Sequence, residues 1–204
     1  MFKDQKNISK ILIAILLVLS LYGFWYFESS VFLRILILGF AGVGIYLSFF
    51  KNIPEKSSFS TSREFLIILI LYLVLFSLYN LLYGFAIPIS IIMIFVLALG
   101  CFLFYGQLIL DGIDVLTQKP ILQTLVILVG LVVLEVFLSL SFWPVDPKIK
   151  SLIIVASFWL IATLIYLYVH SMLRWKRLLG YLIVSAVIIG GIIIFGLFYR
   201  LGPM

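Results

Sequence analysis

The sequence predicts an all-α fold: a polytopic transmembrane helix bundle of about seven spans, forming one transmembrane domain over residues 1–204. Three observations predict it. Hydrophobic residues make up 65% of the chain and charged residues only 11%, whereas soluble globular proteins carry about 25% charged residues. The apolar residues fall in runs of roughly 17 to 23, close to the ~20 that a helix needs to cross the hydrocarbon core. The runs do not alternate polar with apolar, as the strands of a membrane β-barrel would.

The first expected span covers residues 11–27. Lys3, Lys6 and Lys10 precede it, as in a signal peptide, but the run ends in the bulky LYGFWYFESS with no small-residue cleavage site. The reading is therefore an uncleaved span, with Tyr22, Trp25 and Tyr26 in an interfacial aromatic belt. A turn at Glu28, Ser29 and Ser30 leads to a second span, 31–50, with Arg34 one turn inside its start. Gly39, Gly42 and Gly44 leave one side of that helix nearly bare, and small residues let helices approach closely in lipid. Gly190 and Gly191 offer the same kind of face on the last helix.

The segment KNIPEKSSFSTSRE is the clearest hydrophilic loop. A third span, 65–83, carries Asn80 near its end, and a link through Gly84 and Pro88 joins it to a fourth, 86–105. Residues 106–120 are too short and too charged to cross. Their apolar positions recur at helical spacing, so a short interfacial helix is expected there. Asp111 and Asp114 would share a face of it, but two carboxylates without a third ligand read first as a solvated face. The fifth span, 121–143, contains Glu135 and stops before Pro144 and Pro147, which enforce a rigid turn. A sixth span, 151–170, a basic link and a seventh span, 181–199, complete the chain.

Seven spans with the N-terminus cytoplasmic place ten of the fourteen basic residues inside and leave Arg34, Lys148, Lys150 and Arg200 on or near the other side. That asymmetry follows the positive-inside rule, so the N-terminus is expected in the cytoplasm and the C-terminus outside.

An ionisable group at membrane depth is costly and calls for a partner. At about 1.5 Å of rise per residue, Glu135 lies roughly 12 Å below the outer interface at Trp143, and Arg34 about 5 Å below the same side. Ser139 is one turn beyond Glu135 on the same face, and Asn80 and Ser157 also fall in the outer half. The expected intramembrane polar cluster is therefore Glu135, Arg34, Asn80, Ser139 and Ser157, centred on a Glu135–Arg34 ion pair. Such a pair could lock two helices together or form a polar site for an ion, a proton or a substrate group. A third reading has Glu135 neutral and bonded to Ser139. A Ser-Leu-Tyr or Ser-Leu-Ser core at Ser20, Ser77 and Ser139, each before an outward turn, hints at three repeated hairpins.

Catalytic chemistry has little to stand on. The chain has one cysteine, Cys101, within an apolar run, and one histidine, His170, beside a basic link. No Gly-rich phosphate loop and no His-Glu metalloprotease spacing occurs. No metal site, cofactor or nucleic-acid partner is expected. The expected function is that of a non-catalytic scaffold or subunit that packs against lipids, other membrane proteins or a second copy of itself. The alternative is a small-solute or ion transporter or channel using a polar site around Glu135 in the outer half of the membrane. Short loops and small size point to a prokaryotic plasma membrane.

Overall fold

A computed structural model of the chain describes residues 2–45, 60–85, 87–110, 120–169 and 175–200. Among these residues the fold is seven helices: α1 (Phe2–Phe27), α2 (Val31–Ile45), α3 (Ser60–Gly84), α4 (Ile89–Leu110), α5 (Pro120–Ser141), α6 (Pro147–Val169) and α7 (Trp175–Arg200). Several helix starts follow from local chemistry. Pro120 and Pro147 occupy the first positions of α5 and α6, where the missing amide hydrogen has no intrahelical partner to lose. Asp146 caps α6, its carboxylate accepting the Lys148 amide at 2.7 Å. The expected interfacial helix after residue 105 does not begin there: α4 continues to Leu110, because Leu108 and Ile109 are buried and extend its core face. Asp111, Asp114, His170 and the 51–59 loop lie outside the described residues.

Among the described residues α3, α4, α5 and α6 are each long and apolar enough to cross a bilayer, and α1, α2 and α7 contribute shorter apolar stretches, Ile11–Phe27, Val31–Val43 and Leu179–Ile194. Four such helices mark a membrane protein. Large apolar side chains also face outward, among them Val18, Phe32, Ile94 and Val187, as lipid-facing positions would.

The centre of the bundle is α3, which packs on α1, α2, α4 and α6. Its apolar window is 61% buried, against 33% in α5. Leu73, Leu75 and Tyr79 of α3 are fully enclosed, as are Leu17, Phe104, Phe137 and Ile154 from four of the other helices. Since lipid is as apolar as such a core, close van der Waals fit and polar contacts have to hold the helices together.

The tightest fit is between α4 and α5. A Cβ on Gly100 would stand 3.0 Å from the Gly130 Cα, and one on Gly130 would run into Cys101 Sγ and come within 3.0 Å of the Leu97 carbonyl oxygen. These glycines let two backbones touch. The glycines singled out from the sequence do something else: Gly39, Gly42, Gly190 and Gly191 have no neighbour within 4 Å of a would-be Cβ. They do not serve the bundle's own helix contacts: α2 and α7 are flank helices, and Gly191 faces an open cavity between them. Gly44 lies in the last turn of α2, outside the residues whose surroundings are described.

The turns from α1 to α2, from α3 to α4 and from α5 to α6 gather at one end of the bundle. Phe27 and Phe85 set their rings 6.4 Å apart there, and Glu28 reaches Lys148. On the flank, α6 and α7 run antiparallel, with Trp159 against Tyr181 lower down and Leu152 sharing a cavity wall with Ile188 and Ile192 nearer the turns. The supposed hairpin repeat is not used alike in its three copies. Ser20 and Ser77 are buried, bonding to the Leu17 and Leu73 carbonyls, while Ser139 is exposed.

Candidate functional site

Charge converges at the end where the three turns meet. Glu28, in the three-residue turn between α1 and α2, is only 2% exposed. One of its carboxylate oxygens accepts the Ser30 amide at 2.9 Å, and the other stands 2.9 Å from Lys148 Nζ. Among the described residues that second oxygen has no other aligned hydrogen-bond donor. Arg34 turns back over the same turn: its Nε donates to the Glu28 carbonyl oxygen at 2.6 Å, and its guanidinium lies 5.0 Å from the Trp25 ring centre. Burial by itself would raise the Glu28 carboxyl, but Lys148, the Ser30 amide and Arg34 together outweigh it and hold the group below its ordinary value.

A third cation, this one buried, stands nearby. Lys150, in the opening turn of α6, is 2% exposed. Its Nζ sits 4.7 Å from the Tyr83 ring centre and 5.3 Å from that of Tyr79, and donates to Tyr83 Oη at 2.5 Å. Tyr83 passes a hydrogen bond on to the Ser141 carbonyl at 2.7 Å. One turn earlier on α3, Tyr79 donates to the Phe137 carbonyl at 3.0 Å. Ser141 ends α5, where the last carbonyls lack intrahelical partners. Two tyrosines one helical turn apart thus pin α3 to the end of α5, and the faces of the same rings receive the ammonium of α6. These contacts make the cluster a clasp joining α1, α2, α3, α5 and α6.

The polar cluster expected from the sequence is not brought together. Arg34 is taken up by Glu28 and Trp25, so it does not pair with Glu135. The helices explain this, because α2 packs on α1 and α3, whereas α5 packs on α4 and α6. Glu135 is exposed on the outer side of α5. Ser139 donates to the Glu135 backbone carbonyl at 2.9 Å, not to its carboxylate. Asn80 donates to the Phe76 carbonyl at 2.8 Å and Ser157 to the Ile153 carbonyl at 2.9 Å. Each satisfies itself on its own helix, a pattern open to short polar side chains four residues after a carbonyl.

Sequence reasoning missed Glu28, Lys148, Lys150, Tyr79 and Tyr83 as members of one site. A signal existed in the brevity of the turns: three residues between α1 and α2 and five between α5 and α6 leave their charges nowhere to go but over the helix ends.

Beside the clasp, a lateral cavity of about 590 Å³ opens between α2 and α7, with α3 and α6 as its floor. Asp146 and Lys148 stand at its head, and Leu33, Tyr72, Leu152 and Ile188 line its body. Among the described residues no three His, Cys, Asp or Glu side chains gather as a metal site would require. Comparison with protein-family models, with curated proteins and with solved structures finds no match to this chain.

Proposed function

We propose that the chain is a non-catalytic integral membrane protein of seven spans, N-terminus cytoplasmic and C-terminus outside, that serves as a subunit or scaffold by packing against another membrane protein. A prokaryotic plasma membrane is the proposed location, and nucleic acid is not a proposed partner. The observation that carries this reading is Glu135. It lies six residues before the end of α5, about 9 Å along the helix, on a stripe with Leu128, Leu131 and Ser139 that faces away from the bundle. A charged residue at the centre of a span costs about 2.5–3.5 kcal/mol on insertion scales. A hydrogen-bonding group on a neighbouring transmembrane helix would offset that cost. The transport reading drew on a Glu135–Arg34 site, and Glu135 lines none of the cavities described here.

The test is crosslinking within the native membrane. A photo-reactive residue at Leu131 is expected to give a discrete adduct that one at Ile94, on the outward face of α4, does not. Glu135→Leu should abolish that adduct while leaving the thermal midpoint of the purified chain unchanged or higher. Equal, diffuse labelling at Leu131 and Ile94 would overturn the reading.

A further inference from the structure

The lateral groove between α2 and α7 combines two chemistries that a second apolar groove, between α1 and α4, lacks. Its head holds one carboxylate and one ammonium, Asp146 and Lys148. Its body continues into a second cavity of about 270 Å³ that shares Leu152, Ile188 and Ile192 with it and ends against Trp159. From Lys148 to Trp159 is about 16 Å of α6 at 1.5 Å per residue. The upper cavity alone lies within the range of about 300–1,000 Å³ typical of ligand sites. By contrast, the groove of about 370 Å³ between α1 and α4 is lined by Leu, Ile, Phe and Ala alone. That groove fits any lipid tail and selects none.

We propose that the α2–α7 groove seats a phospholipid with a phosphoethanolamine head, its phosphate on the Lys148 ammonium, its primary amine on the Asp146 carboxylate and one acyl chain along the trough toward Trp159. The charge pattern at the head carries the assignment. Lys148 is partly met by Glu28 at 2.9 Å yet keeps 39% of its side chain exposed, so it can also contact a phosphate. Asp146 is exposed and uses one oxygen for the Lys148 amide, leaving acceptor sites for N–H donors. A primary ammonium supplies three such donors. A quaternary ammonium supplies none, so phosphocholine adds no hydrogen bond to Asp146. A purely anionic head would set its charge beside the Asp146 carboxylate, with Lys148 the one cation among the lining residues. Tyr72 adds a polar group within the trough, its hydroxyl bonding no other described residue, where a donor to an ester carbonyl is useful.

This site lies on the opposite flank from Glu135, so it can fail without touching the subunit reading, and the reverse. The decisive measurement is native mass spectrometry of the full chain, purified in mild detergent and given equimolar dioleoyl phosphatidylethanolamine, phosphatidylcholine and phosphatidylglycerol. One phosphatidylethanolamine should be retained per chain, about tenfold over phosphatidylcholine, since a charge-assisted hydrogen bond separates the two. Asp146→Asn keeps a good helix cap and should erase that preference while leaving bound lipid. Gly191→Trp should abolish retention by filling the groove, and Gly191 has open space for the ring. Equal retention of the ethanolamine and choline lipids by the unsubstituted chain, a preference for phosphatidylglycerol, or undiminished retention by a folded Gly191→Trp would each overturn the proposal. Should that variant not fold, Asp146→Asn decides alone, and an unchanged preference there overturns it.

Discussion

At the scale of single residues, the Glu28–Lys148 pair is asymmetric. The carboxylate is buried while the ammonium is well exposed. Removing the lysine strands a charge inside the protein, whereas neutralising the glutamate only frees a lysine into water. Lys148→Met should therefore destabilise the chain by about 1–3 kcal/mol, the range for an unsatisfied buried polar group. Glu28→Gln should cost less than about 1 kcal/mol, because an amide oxygen can still accept the Ser30 amide. Thermal unfolding in one detergent compares them, and equal losses would contradict the asymmetry. The pH dependence follows from the same carboxylate. Its value in the folded chain is lowered from 4.5, so the unfolded chain binds a proton first as pH falls. The stabilisation is complete above the unfolded value and drains away as pH drops through the folded one. Below about pH 4.5 the native chain should lose stability faster than Glu28→Gln, measured by the same unfolding transition.

At the scale of helices, Gly130 and Gly39 make a matched pair, each a glycine within a helix with opposite surroundings. Gly130→Ala should destabilise by about 1–3 kcal/mol through overpacking, since the new methyl meets both Cys101 Sγ and a backbone carbonyl that cannot swing away. Gly39→Ala should be neutral or stabilising by up to about 1 kcal/mol, the helix-propensity gain over glycine. Adding Cys101→Ala to Gly130→Ala should recover part of the loss, leaving what the Leu97 carbonyl imposes. The contrast also shows what a sequence of this kind can say. The lengths of the apolar runs located the helices, because hydrocarbon thickness sets a length. Which way each helix faces was not legible, because an apolar helix in lipid has an apolar outside as well as an apolar inside. Glu135 could be placed in depth but not in azimuth. The azimuth is set by Gly130, Val133 and Phe137, which fit α5 against its neighbours and turn residue 135 outward. Likewise the sequence puts Glu28 in a turn and Lys148 and Lys150 on the outer side without joining them, since only the meeting of three turns at one end makes them a cluster.

At the scale of the whole molecule, the clasp constrains how the proposed spans can follow one another. With the α1–α2, α3–α4 and α5–α6 turns gathered at one end, α2 has to carry the chain back to the far end before α3 begins, although its described length, Val31–Ile45, is only about 22 Å at 1.5 Å per residue. The same holds for α4 before α5. Since α6 starts at the clasp and α7 runs antiparallel to it, α7 returns toward the clasp end, and its 26 residues give about 39 Å of helix by the same rise. In the proposed seven-span arrangement α7 would therefore end on the side of the three turns and α1 would begin on the opposite side. In a Cys101→Ala background, single cysteines replacing Ser29, Pro144 and Met204 should react with a membrane-impermeant maleimide from outside sealed cells. One replacing Lys6 should react only after permeabilisation. Reaction of Ser29→Cys and Pro144→Cys from different sides would break the clasp itself. Reaction of Met204→Cys from the same side as Lys6→Cys would leave the clasp standing and remove α7 from the set of spans, and with it one wall of the lipid groove.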